Sequence, residues 1–291
     1  MDKILQSLQC NAFHLSDDIF DFLSVRYSEL IDNPIPDLKL ESFHPNIIQH
    51  IINLHREQFH TQDYIQSRIS NPTTGTIDHL HAEITAATAV RLGIKNGYDG
   101  YSLELLRTAG HFHDSDRSFP DSMIQGEART RNDAEAYKKY KKLHAVNSSK
   151  RAADFIKKAA VSGYYSPEGF SEDLLYLIIR HEIGGQKENS INNILPSKVE
   201  PNLNLNSLTD IVTDADSLSY FDANILTNWE ECGKDKTLLG NKVHFMYDRM
   251  SKQSQNELRE TIILSKSHIL GSPSADPDIH AIREILQDIC V

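Results

Sequence analysis

The sequence predicts an all-α protein, and three observations carry that prediction. Apolar residues recur at helical spacing, as at Leu80, Ile84, Ala87 and Val90. Glycine and proline stand where such stretches stop, at Gly93, Gly97 and Pro120. No run of alternating residues argues convincingly for a sheet, and there is no internal repeat or low-complexity tract.

Taken in order, residues 1–70 carry amphipathic patches such as Ile47-Ile48-x-x-Ile51-Ile52-x-Leu54, interrupted by Pro34-Ile35-Pro36. They are expected to form an N-terminal helical extension (1–74) packed on a central domain (75–222). A strong helix is expected over 78–94. A second is expected over 101–114, where Leu103, Leu106, Gly110 and His113 share one stripe. Pro120 then closes a short turn. Residues 133–162 read as one or two basic helices, broken near Asn147, which can cap the second. Ser171-Glu172-Asp173 starts a helix whose acidic first turn suits the dipole, and Gly184-Gly185 stops it after His181. The Asn-rich stretch of about two dozen residues that follows is long for a structureless connection, which makes it a candidate lid or binding loop. Ser207 opens the helix that carries Asp216. Residues 223–291 are expected to form two or three further helices on the core, with one turn near Gly240.

Composition bounds the function. A chain of 291 residues, 39% hydrophobic and 24% charged, is ordinary for a soluble globular protein and long enough to bury a substantial core. The start, Met1-Asp2-Lys3-Ile4-Leu5-Gln6, does not read as a signal peptide. Nowhere do the roughly 18 consecutive apolar residues of a membrane span occur, so no membrane partner is expected. Cys10, Cys232 and Cys290 show no paired spacing, which suggests reduced thiols and a cytoplasmic location. A net charge of −11 argues against broad nucleic-acid binding. The charge is uneven: Arg129 to Lys158 holds ten Lys/Arg and three Asp/Glu, a local +7, leaving −18 elsewhere. Lys138, Lys139, Lys141 and Lys142 read as the wet face of a helix, or as part of a segment drawing an anionic substrate toward His144.

Five short stretches supply the chemistry. They are Asp78-His79-Leu80-His81, His111-Phe112-His113-Asp114, Leu143-His144, Arg180-His181-Glu182 and Thr213-Asp214-Ala215-Asp216, each in or beside a helical stretch. Imidazoles with carboxylates in this pattern suit one or two divalent metals, with positions left open for water and substrate. Helix geometry thins the candidates. At about 100° per residue, side chains two positions apart point roughly 200° apart, so only one of each such pair can face a given site. His113 lies at the edge of the buried stripe, and His111 then points elsewhere or supports from behind. Only one of His79 and His81, and one of Asp214 and Asp216, can join the site. Asp114 can chelate together with His113. The other histidines (His14, His44, His50, His55, His60, His244, His268 and His280) have no paired partner in the sequence and read as surface or structural, and Trp229 reads as core or interface.

Over roughly residues 75–222 these motifs resemble the HD-domain metal-dependent phosphohydrolase superfamily. His81-Ala-Glu-Ile-Thr-Ala-Ala-Thr-Ala is similar to the family's first histidine element. Leu105 to Asp114 is similar to its His-Asp element, and Asp214-Ala215-Asp216-Ser217-Leu218 to its distal Ala-Asp-x-Leu element. The resemblance implies an HD-domain-like helical bundle with extra N- and C-terminal helices. It implies His81, His113, Asp114 and Asp216 as ligands, with His144 and His181 where dinuclear members place extra histidines. One or two divalent ions are implied, among Mn, Fe, Co, Ni, Zn and Mg.

The chain departs from the family after the His-Asp pair, where Ser115-Asp116-Arg117 replaces Ile-Gly-Lys. Arg117 can take over the phosphate contact, since a guanidinium binds oxyanions bidentately. It also occupies the place of a glutamate common in members that cleave 5′-nucleotides or alarmones, so neither substrate is favoured. Asp116 is expected to orient a water or to cap. Asp114, Arg117 and Asp116 are thus the catalytic candidates, with Arg180 or Lys187 as further phosphate contacts. Glu182, Asp116 and Asp214 are candidates for orienting the imidazoles. The expected function is hydrolysis of a small anionic phosphate ester or nucleotide by a metal-activated water. An HD-type diiron oxygenase and a non-catalytic metal-binding scaffold or sensor are the alternatives.

Overall fold

The computed structural model describes residues 16–32, 46–64, 78–119, 134–164, 166, 168–182 and 203–290. In chain order the helices are α1 (Asp17–Asp32), α2 (Asn46–Gln58), α3 (Asp78–Lys95), α4 (Gly100–Phe112), α5 (Ala134–Val161), α6 (Phe170–Arg180) and α7 (Leu203–Ser219). A 3₁₀ turn, Ser115–Ser118, follows α4. A π turn, Tyr220–Asn224, joins α7 to α8 (Ile225–Glu231). Then come α9 (Lys236–Asp248), α10 (Lys252–Leu258) with a second π turn at Arg259–Ile263, and α11 (Pro277–Cys290). No strand occurs among the described residues, so the fold is all-α.

The centre of the fold is α3, packed against α4 and α7, with α6 contacting α4, α5 and α7. The α3–α4 crossing is close because both helices are small there. Ala82, Ala86 and Ala89 are buried on α3, and a Cβ added to Gly110 on α4 would stand 2.8 Å from the Ala86 Cα. Ile47, Ile48, Ile51 and Ile52 bury the apolar face of α2, which packs on α4 and α5. A single apolar cluster runs from Ile19 and Leu23 on α1 through Phe112 and Phe221 to Leu286 and Cys290 on α11. The terminal helices therefore share the core of the central ones. Among the described residues no helix is long and apolar enough to cross a membrane.

Four element expectations change. Residues 134–161 form one unbroken helix, with Asn147 inside it. The helix carrying Asp216 starts at Leu203, ahead of Ser207. Gly240 lies within α9, and the turn falls instead at Gly233 and Lys234, both at φ 62°. Residues 225–290 hold four helices rather than two or three. Pro34 to Pro36, Pro120, Gly184-Gly185, Lys187, the Asn-rich stretch, His14, His44 and Cys10 lie outside the described residues, as do the side chains of Lys138, Lys139, Lys141 and Lys142.

Candidate metal centre

The close α3–α4 crossing brings His81 and His113 together, with Nε2 atoms 3.2 Å apart. Asp216, on α7, places Oδ1 3.1 Å from His81 Nε2 and 3.4 Å from His113 Nε2. Asp114, just past the end of α4, places Oδ2 3.9 Å and 3.7 Å from the same two nitrogens. Its other oxygen, Oδ1, contacts His144 Nε2 from α5 and lies 3.9 Å from His181 Nε2 at the end of α6. The donor atoms form two groups, His81–His113–Asp114 and Asp114–His144–His181, each within 4.8 Å and sharing Asp114. All six predicted ligand residues are brought to one place, from five helices or their ends.

The outer nitrogens of three imidazoles are anchored. His113 Nδ1–H donates to the Gly110 carbonyl (2.7 Å), and His181 Nδ1–H donates to the Ile178 carbonyl (2.6 Å). His81 Nδ1–H donates to Ser219 Oγ (2.9 Å), whose own proton goes to the Asp216 carbonyl (2.9 Å). Thr85 Oγ1 lies 2.7 Å from the same hydroxyl. With Nδ1 as the donor, the neutral form of each of these rings presents its Nε2 lone pair inward, the arrangement that metal-ligating histidines adopt. A hydroxyl and two backbone carbonyls thus do the orienting that carboxylates were expected to do. Asp214 instead tethers the start of α10, whose N-cap is Ser251, accepting from Ser251 N–H (2.8 Å), Ser251 Oγ (2.5 Å) and Ser254 Oγ (2.8 Å).

Converging lone pairs need a positive charge among them. A protonated His113 can supply it: burial alone would lower its pKa, but Asp114 and the Asp216 hydrogen bond outweigh burial and push it up to about 9. Burial raises Asp114 in principle, yet Arg117, His144 and His113 hold it well below the usual carboxylate range. Asp216 is depressed likewise, with Arg249 and His113 overcoming burial. Burial pushes His81 down, and it takes His181 down to about 4. The His181 Nε2 atom is buried and accepts no hydrogen bond. For donors about 2.0–2.2 Å from one ion, neighbouring donors stand roughly 3–3.6 Å apart. The 3.1, 3.2 and 3.4 Å separations around His81, His113 and Asp216 match that spacing. Buried donors of this chemistry fit a divalent metal.

The remaining candidates sort by contact. Arg117 Nε lies 2.9 Å from Asp114 Oδ2, and its terminal nitrogen lies 3.7 Å from Asp78. Asp116 meets Arg151 on α5 at 3.5 Å, and its backbone N–H donates to Ser148 Oγ (3.2 Å). Arg180 is buried with its guanidinium 5.3 Å from the Tyr176 ring centroid. Glu182 Oε1 lies 3.9 Å from His181 Nε2.

The i,i+2 partners of the cluster histidines form a group of their own. His79 Nε2 and His111 Nε2 lie 3.2 and 3.1 Å from Glu83 Oε1, and Arg56 makes a two-point contact with the same carboxylate. His55, read from the sequence as having no partner, places Nδ1 3.0 Å from His111 Nδ1. His268, read the same way, pairs with Asp222 at 3.1 Å. Sequence reasoning missed Ser219, which anchors His81, and Arg249. Arg249 contacts Asp216, and no motif or periodic position marks it.

Fold and site together define an all-helical protein with a buried His/Asp cluster able to hold a metal ion. The chain matches no family model, no curated protein and no solved structure.

Proposed function

We propose that this protein is a metal-dependent phosphohydrolase acting on a small phosphate ester or nucleotide, as its HD-like motif order suggests. The observation that carries the reading is the convergence of buried lone-pair donors in two groups that share Asp114, one oxygen to each. A divalent cation held there supplies an activated water and neutralises charge on a phosphoryl oxygen. His81, His113, Asp216 and Asp114 Oδ2 would hold one ion, and His144, His181 and Asp114 Oδ1 a second. Arg117, 20% exposed beside Asp114, is placed to take a phosphate oxygen once an ion has relieved it of part of its pairing with Asp114. The anchored Nδ1 atoms of His81, His113 and His181 would keep these three imidazoles fixed through the reaction.

Metal analysis coupled to a phosphatase screen over nucleotides, cyclic nucleotides and sugar phosphates tests the reading. At least one transition metal per chain is expected, with His113→Ala or Asp114→Ala removing metal and phosphate release together. Equal metal content in wild type and both variants would refute the metal site. Metal-bound protein that is inert to every phosphate ester yet consumes O₂ would replace hydrolysis with oxidation.

A further inference from the structure

Arg249 caps the C-terminus of α9, thirty-three residues beyond Asp216, with 9% of its side chain exposed. Its three nitrogens go to three partners. Nε–H donates to Ser217 Oγ (2.7 Å), one terminal nitrogen binds Asp216 Oδ2, and the other lies 3.4 Å from Glu182 Oε2. The Ser217 proton is committed to the Thr213 carbonyl (3.0 Å), which leaves its lone pair for Arg249. Thr213 in turn donates to the His181 carbonyl (2.7 Å). The guanidinium therefore ties the end of α6 to the end of α7, and its planar fork fixes the direction from which Asp216 is held.

The two oxygens of Asp216 consequently face different ways: Oδ1 toward the His81 and His113 nitrogens, Oδ2 toward Arg249. We propose that Arg249 is a positioning residue that withholds Asp216 Oδ2, so that the carboxylate gives an ion one oxygen and a coordination position stays open for water. A carboxylate released from the guanidinium is free to chelate through both oxygens, and the second oxygen would fill the position a hydrolytic water needs. This gives the C-terminal helices a task at the site, and it rests on the metal reading above.

The test uses cobalt(II) as the probe, loaded into the full-length protein without substrate. Arg249→Met is expected to keep its cobalt while the visible absorption per cobalt falls by roughly twofold or more, because a higher coordination number weakens these bands. Turnover is expected to drop about tenfold or more through kcat, with KM nearly unmoved. Arg249→Lys, which keeps the charge and one donor, should recover part of the band intensity. An unchanged spectrum in Arg249→Met overturns the proposal, and so does a rise in KM alone, which would make Arg249 a substrate contact. Should Arg249→Met fail to fold or lose cobalt, a crystal structure of the cobalt-loaded wild type decides. One Asp216 oxygen at about 2.0–2.2 Å from the ion is expected, with Oδ2 still on Arg249, and two oxygens on the ion would overturn the assignment. A wild type that takes up no transition metal refutes the metal reading itself.

Discussion

Asp216 and Asp214 stand two positions apart on one helix and do opposite work. Asp216 faces two imidazoles and an arginine, whereas Asp214 accepts three hydrogen bonds from the start of α10. Asp216→Asn is expected to abolish activity and weaken metal binding. Asp214→Asn should keep the metal and cost stability, since a hydrogen bond to a charged group is worth about 1.5–3 kcal/mol and the amide replaces one of the two acceptor oxygens. Metal content and thermal melts of the two variants check this, and the reverse pattern would mean the helix register is wrong.

Protons at His113 make a second prediction at the residue scale. Its pKa in the ion-free fold, about 9, lies above the roughly 6.5 of an unfolded histidine. Its stabilising contribution is therefore complete below about pH 6.5 and lost as pH rises through about 9. A metal requires the neutral imidazole, so ion binding expels this proton and tightens across the same window. Melting temperature of the chelator-treated protein should fall from pH 6.5 toward 9 while metal affinity by calorimetry rises. Parallel trends in the two would remove His113 from the ligand set. The six side chains that cluster here were legible in the sequence as candidates because each sits in a short, ordered motif. Arg249 was not, because its relation to Asp216 exists only after thirty-three residues have folded back. The same holds for His55 and His111, fifty-six positions apart.

At the scale of elements, local signals misled wherever tertiary burial outweighed them. Asn147 is a poor helix residue, but its cost is only about 0.7 kcal/mol. Its neighbours Ala145, Ser148, Ala152 and Phe155 are buried, and Ser148 binds Ser115 and the Asp116 N–H of the 3₁₀ turn. That packing keeps α5 continuous. Gly240 looked like a turn residue, yet a Cβ there meets only Ile285 and Ile289 side chains at 4.0 Å. Gly110 is the opposite case, since its added Cβ would press on the Ala86 Cα at 2.8 Å and the Thr85 carbonyl at 3.0 Å. Gly240→Ala is therefore expected to stabilise by about 0.5–1 kcal/mol through helix propensity. Gly110→Ala should destabilise by about 1–3 kcal/mol and weaken metal binding, because it forces apart the helices that carry His81 and His113. Denaturant melts of both variants measure the pair. A neutral Gly110→Ala would show that the α3–α4 distance is not set by that contact.

For the whole molecule, the cluster proposed to hold an ion would, once loaded, act as a cross-link among helices far apart in the chain. His81, Asp114, His144, His181 and Asp216 are contributed by or beside α3, α4, α5, α6 and α7, and α9 reaches the same point through Arg249. One apolar cluster already joins these helices to α1 and α11, so metal binding, as proposed, is expected to be linked to global unfolding rather than to local order. Free metal at 100 times its Kd should stabilise the fold by about 2.7 kcal/mol, which for a chain of this size shifts Tm by several degrees. On the metal reading proposed above, the expected number of ions follows from the count of candidate donors. Four imidazoles and two carboxylates are too many for a single ion that must keep a position open for water. The division of Asp114 between the two imidazole pairs would give each of two ions a share of one carboxylate. Two ions per chain are therefore expected. His144→Ala should lose one ion, most turnover and part of the metal-induced Tm shift, while keeping the ion held by His81, His113 and Asp216. A stoichiometry near one in fully active wild type, unchanged in His144→Ala, would instead place His144 and His181 around the substrate as phosphate or acid–base contacts.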